Sequence, residues 1–263
     1  MQLIVTRPAA QAAGWVQALQ ALGQDAVALP LIEITPPDDP QALFAAWAAL
    51  PGLDLVMFVS ANAVQHFFAG APAGARWPAG LRAACTGPGT AAALAVAGVP
   101  ANQVVQPSAA AASFDSEALW AMLAAEDWAG RQVLVVRGED GRNWLAETLR
   151  ERGARVSFMV AYRRHAPQPD AAGRALLARA LAAPAAHLWV FSSSEAVGHL
   201  RVLAPQAEWQ AARALASHRR IAEAARGLGF TELLLLPAPT PAAVAALASL
   251  PWPRVWPSIE SRP

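Results

Sequence analysis

The residues with chemical promise are few, and they stand at junctions. Ser60 closes the apolar run Leu55-Val56-Met57-Phe58-Val59 and opens Ala61-Asn62-Ala63-Val64. Ser193 closes Val190-Phe191-Ser192 and opens Ser194-Glu195-Ala196-Val197. A hydroxyl at such a strand-to-helix junction can cap the helix, and the N–H groups beside it can hold an anion. Gly87-Pro88-Gly89-Thr90 opens an Ala-rich helical stretch. Gly87 and Gly89 would let main-chain N–H groups approach carboxylates; Thr90 reads as an N-cap or a binding group. Arg7, Arg137 and Arg142 fall at strand ends or in the turns after them. A guanidinium fork suits carboxylates, and the competing account is a surface charge worth little. Arg150, Arg152 and Arg155 read as a solvated helix end. Tyr162, the sole tyrosine, lies in a strand-like run. Its phenol can pack as a strand aromatic or donate a proton.

Other chemistries are excluded. Cys85 is alone, so no disulfide or thiolate metal site forms within one chain. The five histidines lack ligand spacing, and no structural metal is expected. The glycine turn lacks the third glycine of a dinucleotide site, Ala92 standing there, and no acidic residue follows about 20 positions on. Net charge is +1, which offers nucleic acid no concentrated basic face. All twenty basic residues are arginine; coding bias explains the total, and the functional reading is kept for particular arginines. The N-terminus lacks a signal-peptide pattern, and prolines interrupt both long uncharged stretches, so a cytoplasmic protein without membrane contact is expected.

These residues must be positioned by a scaffold, and the sequence repeats it. Ser60 and Ser193 are 133 positions apart. Leu3–Arg7 corresponds to Leu134–Gly138, and the helical stretches that follow end at Gly23 and Gly153. Extended segments come next, Val27 to Thr35 and Val156 to His165. The helix after Gly87 ends at Gly98, its counterpart after Ile221 at Gly229. Last strands near Val104 and Leu233 precede helices over Ser116–Leu123 and Pro241–Leu250. The offset stays between 130 and 133 for Leu3 and Leu134, Gly23 and Gly153, Ser60 and Ser193, and Gly98 and Gly229. The repeat predicts an internal duplication: two similar α/β domains with parallel sheets, divided near residue 130. Ligands of such sheets bind at the carboxyl ends of the strands. Two facing rims would hold a large acidic molecule between them.

The ordered set of motifs resembles the uroporphyrinogen-III synthase family. It comprises Thr6-Arg7-Pro8, Phe58–Val64, Gly87-Pro88-Gly89-Thr90-Ala91, Asp115-Ser116-Glu117, Arg137-Gly138 with Gly141-Arg142, Val160-Ala161-Tyr162-Arg163, Phe191–Val197 and Arg220-Ile221-Ala222. The resemblance implies two Rossmann- or flavodoxin-like domains joined by a two-stranded antiparallel linker. The crossings would be Leu31–Pro37 and Phe158–Pro167. Domain one would then be 1–36 with 166–263, and domain two 37–165, which displaces the cut near residue 130.

The resemblance also implies a cofactor-free cyclising lyase that closes hydroxymethylbilane into uroporphyrinogen III, with ring D inverted and water lost. Pyrrole nitrogen expels the hydroxyl, so the enzyme mainly holds a flexible chain in one geometry. Tyr162 matches the tyrosine implicated in hydroxyl departure. Arg7, Ser60, Gly87, Gly89, Thr90, Arg137, Gly138, Arg142 and Ser193 would meet the polycarboxylate substrate. A non-catalytic two-lobed binder of an acidic metabolite is the alternative, and a nucleotide-sugar transferase a weaker third reading. A monomer is expected, with its tail from Trp252 to Pro263 loosely ordered.

Overall fold

A computed structural model describes residues 1–108, 111, 113–237 and 239–250; the tail from Trp252 lies outside them. The chain begins with β1 (Gln2–Val5), α1 (Ala9–Ala21), β2 (Ala26–Ala28) and β3 (Glu33–Thr35). It continues through α2 (Pro40–Ala49), β4 (Leu55–Phe58), α3 (Ala61–Ala69), β5 (Arg82–Cys85), α4 (Pro88–Val96) and β6 (Val104–Val105). Then come α5 (Ser116–Leu123), β7 (Gln132–Gly138), α6 (Trp144–Glu151) and β8 (Arg155–His165). The last part holds α7 (Ala171–Ala182), β9 (His187–Phe191), α8 (Ser194–Leu203), β10 (Arg213–Ala216), α9 (Arg219–Leu228), β11 (Glu232–Leu235) and α10 (Pro241–Ala248). Two compact units result: Met1–Ile34 with His165–Pro263, and Thr35–Arg164.

The first unit carries a five-stranded sheet in the order β11-β10-β9-β1-β2, with every neighbouring pair parallel. Side chains alternate across a strand, and here both faces are apolar, as a parallel sheet covered on both sides requires. Ile4, Trp189, Phe191, Ala214 and Ala216 pack under Leu177, Leu200, Ile221 and Ala225 from α7, α8 and α9. Leu3, Val5, Leu188, Val190 and Leu215 face the other way, onto Leu19 of α1 and Val244 of α10. Ala214 and Ala216 sit in the same cluster as the mutually packed rings of Trp189, Phe191, Trp209 and Phe230.

The strands of the second unit run β8-β7-β4-β5-β6 in a sheet whose sixth strand is β3, at the unit boundary. Its pairs from β8 to β6 are parallel. Leu55, Met57, Val133 and Val135 pack on Leu119, Leu123, Leu145 and Leu149 of α5 and α6. On the opposite face Phe58 meets Phe67 of α3 at 5.5 Å, and Phe67 stacks on Trp47 of α2 at 5.0 Å. If β1 is matched with β7 and β9 with β4, as the repeat proposes, β2-β1-β9-β10-β11 and β8-β7-β4-β5-β6 have one strand order. In the first unit that order is 2-1-3-4-5 in chain sequence; in the second the last two strands of that unit, β7 and β8, take the place of the first two.

The structure departs from the sequence reading in three places. The extended segment Val27–Thr35 is two strands in different sheets, β2 and β3. Pro30 lies between them, and a residue without an N–H cannot continue a ladder. The N-cap of α4 is Gly87, so Thr90 lies inside the first turn and does not cap it. Helix α10 stops at Ala248, two residues short of Leu250.

Candidate active site

In the second unit the chemistry gathers at the carboxyl end of the sheet, and β8 arranges it. Strand β8 pairs with β7 in regular register as far as Arg137 opposite Val160, and then Gly138 stands opposite Tyr162. One extra residue, Ala161, is therefore held on β8, a β-bulge of the kind that re-aims a side chain. It sets the Tyr162 ring over Gly138. A Cβ on that glycine would come within 3.0 Å of Tyr162 Cζ and 3.3 Å of its hydroxyl oxygen. Tyr162 is buried at 2% exposure. Its hydroxyl lies 3.2 Å from Ser60 Oγ.

Ser60 is the N-cap of α3, its Oγ accepting the Ala63 N–H at 3.2 Å. The cap fixes the hydroxyl at the helix start, so the same atom that ends the helix also meets the phenol. Two groups that the sequence reading did not single out complete the cluster. Arg164 donates from Nη2 to the Tyr162 hydroxyl oxygen at 3.3 Å. The His66 ring, on α3, stacks on the Tyr162 ring with centroids 5.9 Å apart and planes 28° apart. Burial pushes the His66 imidazole below its ordinary value, because a low-dielectric site disfavours the charged form. Arg164 was within reach of sequence reasoning, since residues two apart on a strand share a side. His66 gave no local signal.

Arg137 is turned inward. It is 8% exposed. Its Nε donates to the Gly138 carbonyl at 3.1 Å, Nη1 to Asn143 Oδ1 at 2.5 Å, and Nη2 to the Gly141 carbonyl at 3.0 Å. The Phe158 ring centroid lies 5.2 Å from the guanidinium carbon. The loop between β7 and α6 therefore wraps around this side chain. Gly141 has φ +159°, and a Cβ there would stand 3.2 Å from Arg137 Nη2. Arg142 points elsewhere, into an exposed ion pair with Glu117.

Helix α4 starts at Pro88 with no capping side chain on Gly87. A Cβ on Gly87 would meet Phe114 at 3.1 Å, whereas Gly89 has open space around it. Thr90 is buried. Helix α6 also lacks a side-chain cap, since Asn143 Oδ1 is taken by Arg137.

The first unit presents its own strand ends. Thr6 Oγ1 donates to the Val190 carbonyl at 2.8 Å, tying the end of β1 to β9. Arg7 follows, with its guanidinium carbon 4.3 Å from the Trp15 ring centroid. Its Nη1 reaches Gln11 Oε1 at a long 3.5 Å, and its Nε is buried with no hydrogen-bond partner. Burial lowers its pKa from the ordinary guanidinium value. Ser193 caps α8, its Oγ accepting the Glu195 N–H at 3.2 Å. Helix α1, entered through Pro8, has no side-chain cap. Among the described residues no three His, Cys, Asp or Glu side chains are grouped to hold a metal ion. No described helix is long and apolar enough to cross a membrane.

Residues 13–246 match a family model described as uroporphyrinogen-III synthase HemD. The chain belongs to the uroporphyrinogen-III synthase family. It is 33% identical over 239 residues to uroporphyrinogen-III synthase of Salmonella typhimurium, covering 89% of this chain and 94% of that one. It is 32% identical over 240 residues to the Escherichia coli protein of the same name, with coverage of 89% and 94%. Among solved structures, a mutant uroporphyrinogen III synthase from Thermus thermophilus superposes with a TM-score of 0.59 at 20% identity, covering 94% of this chain and 97% of that one. The Helicobacter pylori uroporphyrinogen-III synthetase gives 0.57 at 14% identity, over 94% and 98%. Those two establish the mixed α/β fold with parallel sheets as that of uroporphyrinogen-III synthases.

Proposed function

We propose that the protein is a cyclising lyase that converts hydroxymethylbilane to uroporphyrinogen III, the activity of its family, with Tyr162 as the proton donor to the departing hydroxyl. The observation that carries the assignment of Tyr162 is its buried phenol, held between Ser60 Oγ and the Arg164 guanidinium in a chain of this family. A phenol is protonated at neutral pH and can give its proton to a leaving oxygen. The pyrrole nitrogen of ring A supplies the electron pair that expels the hydroxyl. That hydroxyl takes the phenol proton and leaves as water. Ring D attacks the resulting cation through its substituted carbon, and the spiro intermediate reopens with ring D reversed. The proton lost on final closure returns to the phenolate, so the balance is one water released.

Binding in this reading rests on groups that want an anion. Helices α1, α4 and α6 begin without side-chain caps, and first-turn N–H groups attract negative charge. Gly87, Gly89 and Thr90 line the start of α4. Arg7 brings a partly buried cation with an unpartnered Nε; a carboxylate is the acceptor that it lacks. Ser60 and Ser193 add hydroxyls at the starts of α3 and α8. Arg137 serves indirectly, by shaping the loop that bears Gly138 and Arg142. The domains proposed are 1–36 with 166–263, and 37–165, each a doubly wound sheet, joined by the two-stranded linker. The protein is read as a cytoplasmic monomer that needs no cofactor.

Incubation with freshly prepared hydroxymethylbilane tests the function. The enzyme yields the type III isomer; a binder without activity leaves the spontaneous type I product. The family match lends no support to the non-catalytic reading.

A further inference from the structure

Tyr162 is followed two positions later by Arg164, and the strand period puts both on one side of β8. Arg163, between them, is turned to carboxylates, pairing with Asp38 and Glu139. The Arg164 guanidinium carbon lies 5.6 Å from the Tyr162 ring centroid, and its Nη2 hydrogen-bonds to the phenol oxygen. We infer that Arg164 is a positioning residue for the reaction: its N–H fills a lone pair of the Tyr162 oxygen, directs the phenol proton outward and carries the charge left when that proton departs.

The hydrogen-bond inventory supports the direction. A phenol oxygen has one hydrogen to give and accepts up to two bonds; a guanidinium only donates. Ser60 Oγ accepts the Ala63 N–H, and its own rotatable hydrogen can be given to Tyr162 at 3.2 Å. With Arg164 and Ser60 both donating, the phenol hydrogen has no acceptor among these groups and is offered to the substrate. As the proton leaves, the bond from Arg164 becomes one between opposite charges, shorter and stronger than before. An interaction that strengthens in the transition state lowers the barrier, whereas one made equally with bound substrate does not. Burial lowers the pKa of His66, which disfavours a competing positive charge on the face of the ring it stacks on.

The inference rests on the proposed role of Tyr162, and the test separates the two. Arg164→Gln and Arg164→Lys are made in the native background and in Tyr162→Phe, and formation of the type III isomer is measured. Arg164→Gln is expected to lower kcat about 10- to 100-fold, the scale of one charge-assisted hydrogen bond, with KM within about twofold. Arg164→Lys retains charge and donor and recovers most of the rate. In Tyr162→Phe the Arg164→Gln change should cost less than about twofold, because the oxygen it serves is gone. An equal cost in both backgrounds, or a raised KM at unchanged kcat, overturns the inference and makes Arg164 a substrate contact. A structural readout stands apart from activity. The chain has one tyrosine, so a ring-labelled sample gives a single Cζ NMR signal, expected to move in Arg164→Gln and to stay close to native in Arg164→Lys. An unmoved signal in Arg164→Gln overturns the contact itself. If the signal moves but Tyr162→Phe turns over at the native rate, the donor role of Tyr162 falls and the catalytic purpose of Arg164 falls with it.

Discussion

The Tyr162 ring lies across Gly138, with no room between them for a methyl group: a Cβ on the glycine would approach the ring to 3.0 Å. The bulge at Ala161 and the glycine at 138 are thus two halves of one device. The bulge brings the ring opposite residue 138, and the missing side chain lets it settle there.

Gly138→Ala should therefore act on Tyr162 more than on the backbone. Gly138 does not have positive φ, so alanine can adopt its conformation. The ring must give by a few tenths of an ångström, which disturbs the Ser60 and Arg164 contacts. Overpacking of this kind costs about 1–3 kcal/mol. The expected result is a modest fall in Tm with a loss of kcat of tenfold or more. A variant with native kcat would show that the ring position is unimportant.

Tyr162→Phe removes one oxygen from a packed ring and leaves its volume. General acid catalysis is worth about 10²–10⁴-fold, and a drop in kcat within that range is expected. Stability should change by about 1 kcal/mol, the worth of an ordinary hydrogen bond. Steady-state rates and thermal melts on the same sample decide between donor and packing roles; unchanged turnover returns Tyr162 to packing.

The two arginines of the β7–α6 loop should behave oppositely. Arg137→Ala removes a buried guanidinium that organises Gly138, Gly141 and Asn143, and a loss of roughly 3 kcal/mol is expected from severing such a network. Arg142→Ala breaks an ion pair whose side chains are 64% and 45% exposed, and surface pairs are worth about 0–1 kcal/mol. Denaturant titrations of both variants check the contrast.

Arg7→Gln should raise KM about tenfold or more, the scale of one charged hydrogen bond to a carboxylate, with kcat nearly unchanged. Nothing in the fold depends on its Nε, which has no partner. A native KM in this variant would remove Arg7 from the binding surface.

What was legible in the sequence was local. Ser60 and Ser193 cap their helices because a cap is decided by residues within one turn. Gly23, Gly98, Gly153 and Gly229 have positive φ just after the helices they follow. What was not legible depended on distance or side. Ser60 and Tyr162 are 102 residues apart in the chain, and only the β7–β8 register, with its bulge, brings them together. Arg137 stands at a strand end, but strand ends do not say whether a side chain turns outward or into its own loop. The repeat pattern reads Val27–Thr35 as one extended segment, and its division at Pro30 between two sheets is not legible from that pattern.

His66 makes stability pH-dependent in a direction that the burial fixes. Its pKa is lowered in the folded protein by desolvation, so the unfolded chain binds the proton more readily. Stability rises with pH wherever the unfolded state holds more protons. The contribution of neutral His66 is therefore present above the ordinary imidazole value, about 6.5, and is lost as pH falls below it. His66→Gln cannot take up a proton. Its unfolding free energy should decline less than that of the native protein between about pH 7 and pH 5, with the two curves parallel above pH 7. The subtraction removes the carboxylates and the other histidines, which both proteins share. Parallel curves across the whole range would mean that the ring stacked on Tyr162 titrates as it does in water.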